Sequence, residues 1–205
     1  MAKMDREDHT LRKKSHISLA QYIVRNMEEQ KLADHRKAFY LGSILPDCKP
    51  SFLSTKHEFN GTFLKVKQDI RALVENLELY ENNQRAFMRH LGEVIHYLAD
   101  YFTFPHNRTY PGSLKDHCSY EEKLKLDLRE YIKSGRAAKQ QIKKEKFENA
   151  KELCDFIQRA HDDYLAHKHD VEDDIRHIVE VNRKALAGMM DVLAEKRIEH
   201  FLKHS

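Results

Sequence analysis

QRAFMRHLGEVIHYLADYFT, residues 84–103, is the stretch on which the fold class turns. Ile95, Leu98, Ala99 and Phe102 recur at helical spacing, Asn82 or Asn83 supplies an N-cap, and Pro105 halts the run. The same periodicity spreads outward in both directions. Upstream, residues 14–31 carry Ile17, Ala20, Ile23, Val24 and Met27, and a short apolar segment from Ala38 to Leu45 stops at Pro46-Asp47. An irregular stretch, 46–60, ends in the turn signal Asn60-Gly61. Residues 62–80 then repeat the pattern with Leu64, Val66, Ile70, Leu73, Val74 and Leu77. Downstream, Ser113 caps a helix that runs to Ser134-Gly135. Residues 146–168 and 171–203 complete the set, with Lys139 to Lys146 as a solvated connection.

Composition agrees with this pattern. Six Gly and four Pro are about 5% of 205 residues, where ordinary usage gives about 12%. Scarce turn-formers and 34% charged residues favour amphipathic helices joined by short connections, and 40% hydrophobic residues suffice for a core. Strands in quantity are not expected. The expected architecture is all-α, a single multi-helix domain of about seven helices over residues 1–205. Its motif-bearing core spans 14–130 and its C-terminal helices span 146–203.

Charge and cysteine usage narrow the function classes. A net charge of +3 demands no nucleic acid, yet it does not repel phosphate-bearing ligands. No run of eighteen apolar residues exists to span a membrane, and the charged first twenty residues hold no signal-peptide h-region. Cys48, Cys118 and Cys154 are scattered and odd in number, as suits free thiols, so a cytoplasmic protein is expected. No C-x-x-C pair exists, which excludes a cysteine-based zinc ribbon. No protein partner is implied.

The chemistry is concentrated between Leu91 and Glu121. His96 and Asp100 stand one helical turn apart on one face, His106 follows Pro105, and His117 and Glu121 repeat the i, i+4 pattern on the next helix. Asp47 comes from the end of LGSILPD, His57 from the loop KHEF, and His16 from the first helix beside Ile17 and Ala20. Nitrogen and oxygen donors of this kind suit zinc. Each pair alone is more often a solvent-face electrostatic pair, and LPD alone is a common helix stop. Two facts favour a metal centre: the pieces fall in order within about 105 residues, and His96 and Asp100 sit among apolar residues where an unsatisfied polar pair is costly. The set suffices for two zinc ions, or three with outside help.

In this order the motifs resemble the bacterial zinc-dependent phospholipase C family, whose all-α fold is shared with zinc-dependent single-strand nucleases. HYLADYFTFPHN (His-x3-Asp-x5-His) followed by His-x3-Glu is the most specific match, with LGSILPD and the early His16 helix in family order. The resemblance implies that His16, His57, His96, Asp100, His106, His117 and Glu121 are zinc ligands. Asp100 would bridge, and Asp47 would be both ligand neighbour and general base. It further implies zinc at two to three ions per chain and hydrolysis of a phosphodiester substrate, a phospholipid before a nucleic acid. Alternatives are single-strand nuclease-like activity and a non-catalytic zinc-binding helical protein.

Two departures from the family pattern bear on this. Secreted members bind one zinc through an N-terminal Trp, and this chain has no Trp, so a third site would need a substitute such as His9. Cys48 stands where choline-phospholipid enzymes carry an aromatic, so choline selectivity does not follow, although Phe52, Phe59, Phe63 and Phe104 lie near the motifs. The substrate-binding residues stay unassigned. Outside the pattern, His161, His167, His169 and His177 among Asp162, Asp163, Asp170, Asp173 and Asp174 read as a solvated helix face. Asn107-Arg108-Thr109 matches a glycosylation acceptor that carries no weight without secretion. The stripe from Ala185 to Leu193 reads as core.

Overall fold

Every residue from Leu91 to Tyr101 is buried, so the helix that carries them, α6 (Gln84–Tyr101), runs through the interior. A computed structural model describes residues 2–48, 58–167 and 170–204, with side chains over 13–48, 58–167 and 170–203. In chain order its helices are α1 (Ala2–Asn26), α2 (Gln30–Asp34), α3 (Arg36–Ile44), α4 (Phe59–Glu75) and α5 (Leu77–Asn82), then α6. After α6 come α7 (Leu114–Lys133), α8 (Arg136–Lys139), α9 (Ala150–Leu165) and α10 (Val171–His204). Short 3-10 turns occupy Pro46–Cys48 and Phe104–His106, and no strand occurs among the described residues. The fold is all-α, as expected.

The expected helices are α1, α3, α4, α6, α7, α9 and α10, and the short α2, α5 and α8 are additions. Several boundaries differ from expectation: α1 ends at Asn26 where 31 is expected, α9 starts at Ala150 where 146 is expected, and two further differences have a clear cause. α1 starts at Ala2 because residues 2–13 contain neither Gly nor Pro and are rich in helix-forming Lys, Arg and Ala. The run 62–80 breaks at Asn76, whose side chain accepts the Leu79 N–H at 2.8 Å and caps α5 in place of continuing α4. Other signals hold. Asn83 caps α6 through Ala86 N–H, and Ser113 and Asp116 form a reciprocal capping box on α7. Beyond α7, Gly135 takes φ +77°, a left-handed conformation open to glycine.

Apolar stripes from the helices meet in one buried cluster that includes Phe39, Ile70, Leu98, Leu128, Ile157 and Val179. Ala185, Leu186, Met189, Val192 and Leu193 belong to it, so the C-terminal stripe is core. Phe59 and Phe63 are also core, whereas Phe104 is half-buried and Phe52 lies outside the described residues.

α3 packs against α6 with almost no space between the backbones. A Cβ on Gly42 would run into the carbonyl of Arg89, and one on Gly92 into the carbonyl of Phe39, with Ser43 N only 2.8 Å away. Backbone cannot yield as a flexible side chain would. Gly92→Ala is therefore expected to force the helices apart and to destabilise the protein by about 1–3 kcal/mol. Urea denaturation checks this: the midpoint should fall with the slope unchanged, and an unaltered midpoint would mean that the helices are not in this contact.

Candidate metal centre

α6 places His96 and Asp100 on one face, both deeply buried. His96 Nδ1–H donates to the Ser43 carbonyl at the end of α3 (2.9 Å). A carbonyl only accepts, so in a neutral ring Nδ1 carries the hydrogen and Nε2 presents its lone pair. That Nε2 faces Asp100 Oδ2 at 3.2 Å and Asp47 Oδ1 at 3.6 Å. Asp47 is delivered by the 3-10 turn that ends α3, and Pro46 stops the helix just before it. From α1, His16 brings Nε2 to 3.2 Å from Asp100 Oδ1 and stacks its ring on His96 with centroids 3.9 Å apart.

A second group forms where α6 ends. Thr103 Oγ1 donates back to the Ala99 carbonyl, and Pro105 lies in the tight turn Phe104–His106 that presents His106. On α7, His117 and Glu121 stand one turn apart. The Nε2 atoms of His106 and His117 both lie 2.8 Å from Glu121 Oε1. His106 Nδ1 also lies 3.7 Å from Asp100 Oδ1. Asp100 therefore sits between the two groups, with one oxygen toward His16 and His106 and the other toward His96.

Electrostatics explain why this arrangement calls for a cation. Burial works against a charge on His96, but the charge and hydrogen bond of Asp100, with Asp47 and the Ser43 carbonyl, push its pKa up to about 9. Burial and the neighbouring His96 charge lower His16. Asp100 is buried, which favours its neutral form, yet His106, His96 and His16 hold its carboxyl well below the usual range. A neutral His96 points a lone pair at two carboxylate oxygens, a repulsion that a proton or a metal ion at Nε2 relieves. In each of the groups His16–Asp47–His96 and His106–His117–Glu121, the donor atoms lie within 4.8 Å of one another. Between them a cavity of about 20 Å³, lined by His16, Asp100, Thr103, His106 and Glu121, has room for one water or ion. Imidazole nitrogens and carboxylate oxygens converging on a space of that size fit zinc.

The expected ligands His16, Asp47, His96, Asp100, His106, His117 and Glu121 come together here. His57 lies outside the described residues, as does the side chain of His9. The C-terminal histidine segment needs a correction: it is not a uniformly solvated face. Asp162, Asp163, His167 and Asp170 are exposed, but His161 and Asp174 are buried, and His169 lies outside the described residues. His161 stacks on Phe59 and its Nε2–H donates to Asn107 Oδ1 (2.9 Å). Asn107 in turn donates to the carbonyls of Tyr101 and Thr103, closing the loop around His106. Burial pushes Asp174 up to about 6, against the donors Phe104 N–H, Tyr164 OH and Tyr120 OH. Hydrogen bonds replace the lost solvation, which is why both groups tolerate burial. His161 and Asp174 reach the segment around His106 from 54 and 70 residues away, and Asn107, directly after His106, is the one local sign of them.

Two groups of His and carboxylate donors on either side of one buried aspartate, in an all-helical protein, make a candidate metal centre. The description of zinc-dependent phospholipase C matches residues 15–171, about three quarters of the chain, and the protein belongs to that family. The match extends past the ligand motifs through α9 to the first residue of α10. No curated protein sequence and no solved structure matches the chain.

A metal ion held at His96 Nε2 would compete with the proton there, and this sets the expected pH behaviour. In metal-free protein the raised pKa of His96 stabilises the fold fully below 6.5, and this contribution is lost as pH rises through about 9. The lowered carboxyl of Asp100 contributes above the ordinary carboxylate pKa and is lost only in acid, as pH falls through its depressed value. Zinc affinity runs opposite to the His96 contribution, rising about tenfold per pH unit across that window for a displaced proton. Thermal melts of chelator-stripped protein and zinc competition titrations over the same pH range check both slopes.

Proposed function

We propose that the chain is a zinc-dependent phosphodiester hydrolase of the phospholipase C type, acting as one domain on a phospholipid. The observation that carries this is Asp100, buried between two His/carboxylate groups with histidines at 3.2 Å from each of its oxygens. In this reading His16, Asp47, His96 and Asp100 hold one zinc, His106, His117 and Glu121 hold a second, and His57 is a further ligand that is not assigned to either. The second group offers three protein donors, and zinc sites that keep a position for water or substrate have three where closed structural sites have four. Zinc, when bound, supplies a Lewis acid that acidifies water and neutralises phosphate charge as it builds in the transition state.

The protein's own groups have distinct tasks. The Ser43 carbonyl holds the Nδ1 proton of His96 and so aims Nε2 at the carboxylates. Asp47 lies at the mouth of the 3-10 turn against His96 and orients the attacking water, accepting its proton. Asp100 keeps the two groups in register. None of the three cysteines is in a disulfide, which supports a reducing compartment such as the cytoplasm. No helix among the described residues is long and apolar enough to cross a membrane.

Metal analysis beside a panel of phosphodiesters tests the proposal: choline, ethanolamine and inositol lipids in vesicles, and single-stranded DNA. Two to three zinc ions per chain and cleavage of a phospholipid are expected. His96→Ala or Asp100→Asn should lose at least one ion, whereas Asp47→Asn should keep most metal and lose about 100-fold or more in turnover, the scale of a general base. Protein that cannot be loaded with zinc ends the enzymatic reading. Salt-sensitive cleavage of DNA alone moves it to the nuclease branch. Parental turnover by Asp47→Asn removes Asp47 as the base.

A further inference from the structure

Asp174 contributes no donor atom to the centre, yet its side chain is fully buried and holds hydrogen bonds to three separate elements. Oδ2 accepts the backbone N–H of Phe104 at 2.8 Å and the hydroxyl of Tyr120 at 2.9 Å. Oδ1 accepts the hydroxyl of Tyr164 at 2.7 Å. Phe104 opens the 3-10 turn that ends in His106, and Tyr120 immediately precedes Glu121 on α7. One carboxylate oxygen thus touches both segments whose side chains meet 2.8 Å apart at His106 Nε2 and Glu121 Oε1. Their separation is the spacing of two donor atoms in the second group.

We propose that Asp174 is the positioning residue of the His106–His117–Glu121 group, bracing the Phe104–His106 turn against α7 so that the donor atoms stand ready for a metal ion. This rests on the zinc reading above. The brace is selective. His16, Asp47 and His96 are delivered by α1, the Pro46–Cys48 turn and α6, and His96 is held by the Ser43 carbonyl instead. Removing Asp174 takes the acceptor from a backbone N–H and two tyrosine hydroxyls, that of Tyr164 buried, at the junction that sets only the second group. Asparagine preserves the brace. Its Oδ takes Phe104 N–H and Tyr120 OH, while its amide donates to the Tyr164 hydroxyl, which can accept.

The test uses full-length protein stripped of metal and titrated with zinc against a chromophoric chelator. Wild type should show two affinity classes, and His117→Ala identifies the class that belongs to the second group. Asp174→Ala should weaken that class about 10–100-fold, the usual cost of losing an outer-shell partner, and leave the other unchanged. Asp174→Asn should restore it to within a few-fold. Equal weakening of both classes means a general structural role and overturns the proposal, as does a folded Asp174→Ala with both classes intact. Should Asp174→Ala fail to fold, Tyr120→Phe decides: a smaller loss confined to the same class supports the brace, and unchanged affinity overturns it. Amide hydrogen exchange in metal-free protein gives a separate readout. Exchange at Phe104 through Asn107 should quicken in Asp174→Ala, and unchanged protection there overturns the brace. Wild-type protein that takes up no zinc overturns the zinc reading itself, a failure that the exchange result does not share.

Discussion

The contact between α3 and α6 at Gly42 and Gly92 governs the centre. Two helices whose backbones meet without side chains between them have little freedom to slide or separate. That contact brings the carbonyl of Ser43 within reach of His96 and carries the turn with Asp47 over the same face. His96 is consequently oriented by backbone, which is stiffer than any side-chain partner. α1 then lays His16 across His96, and the remaining helices close around the Leu91–Tyr101 part of α6.

The centre is organised around an electrostatic requirement. Asp100 is an anion in a place that disfavours anions, stabilised by three histidines that burial discourages from carrying charge. Protons satisfy this arrangement only in part: raising His96 lowers His16, because two stacked imidazoles cannot both be charged at low cost. Divalent ions satisfy it better, since they supply positive charge to the carboxylates while leaving each imidazole neutral. The family to which the chain belongs is zinc-dependent, and the buried polar cluster supplies a physical reason why a metal would be held here.

The sequence discloses the local parts of this design and conceals the distant ones. His96 with Asp100 and His117 with Glu121 are legible because one helical turn separates the members of each pair, a spacing any helix converts into a shared face. The capping box at Ser113 and the stop at Pro46 are equally local. Gly42 and Gly92 are visible as residues, but their mutual contact depends on how two helices cross, which no single-helix pattern encodes. Asp174 is the clearest case of concealment. It sits beside exposed Glu172 and half-buried Asp173, looks like one more acid at a helix start, and finds two of its partners 54 and 70 residues away. His161 is hidden in the same way, next to exposed Asp162 and Asp163.

The position of Asp174 also has a meaning for the order in which the molecule assembles. All the proposed ligands have been made once the growing chain passes Glu121, and those of the first group lie on elements that pack directly together. The brace for the second group arrives only with α10, after α8 and α9 and the long connection between them. Closing a contact across that much chain is slow relative to forming the helices themselves. A nascent or partly folded molecule therefore owns a complete ligand inventory before it owns the geometry to use it. On the proposal above, docking of α10 is the step that gives the His106–His117–Glu121 group its spacing, while the first group, delivered by α1, the Pro46–Cys48 turn and α6, does not wait for it.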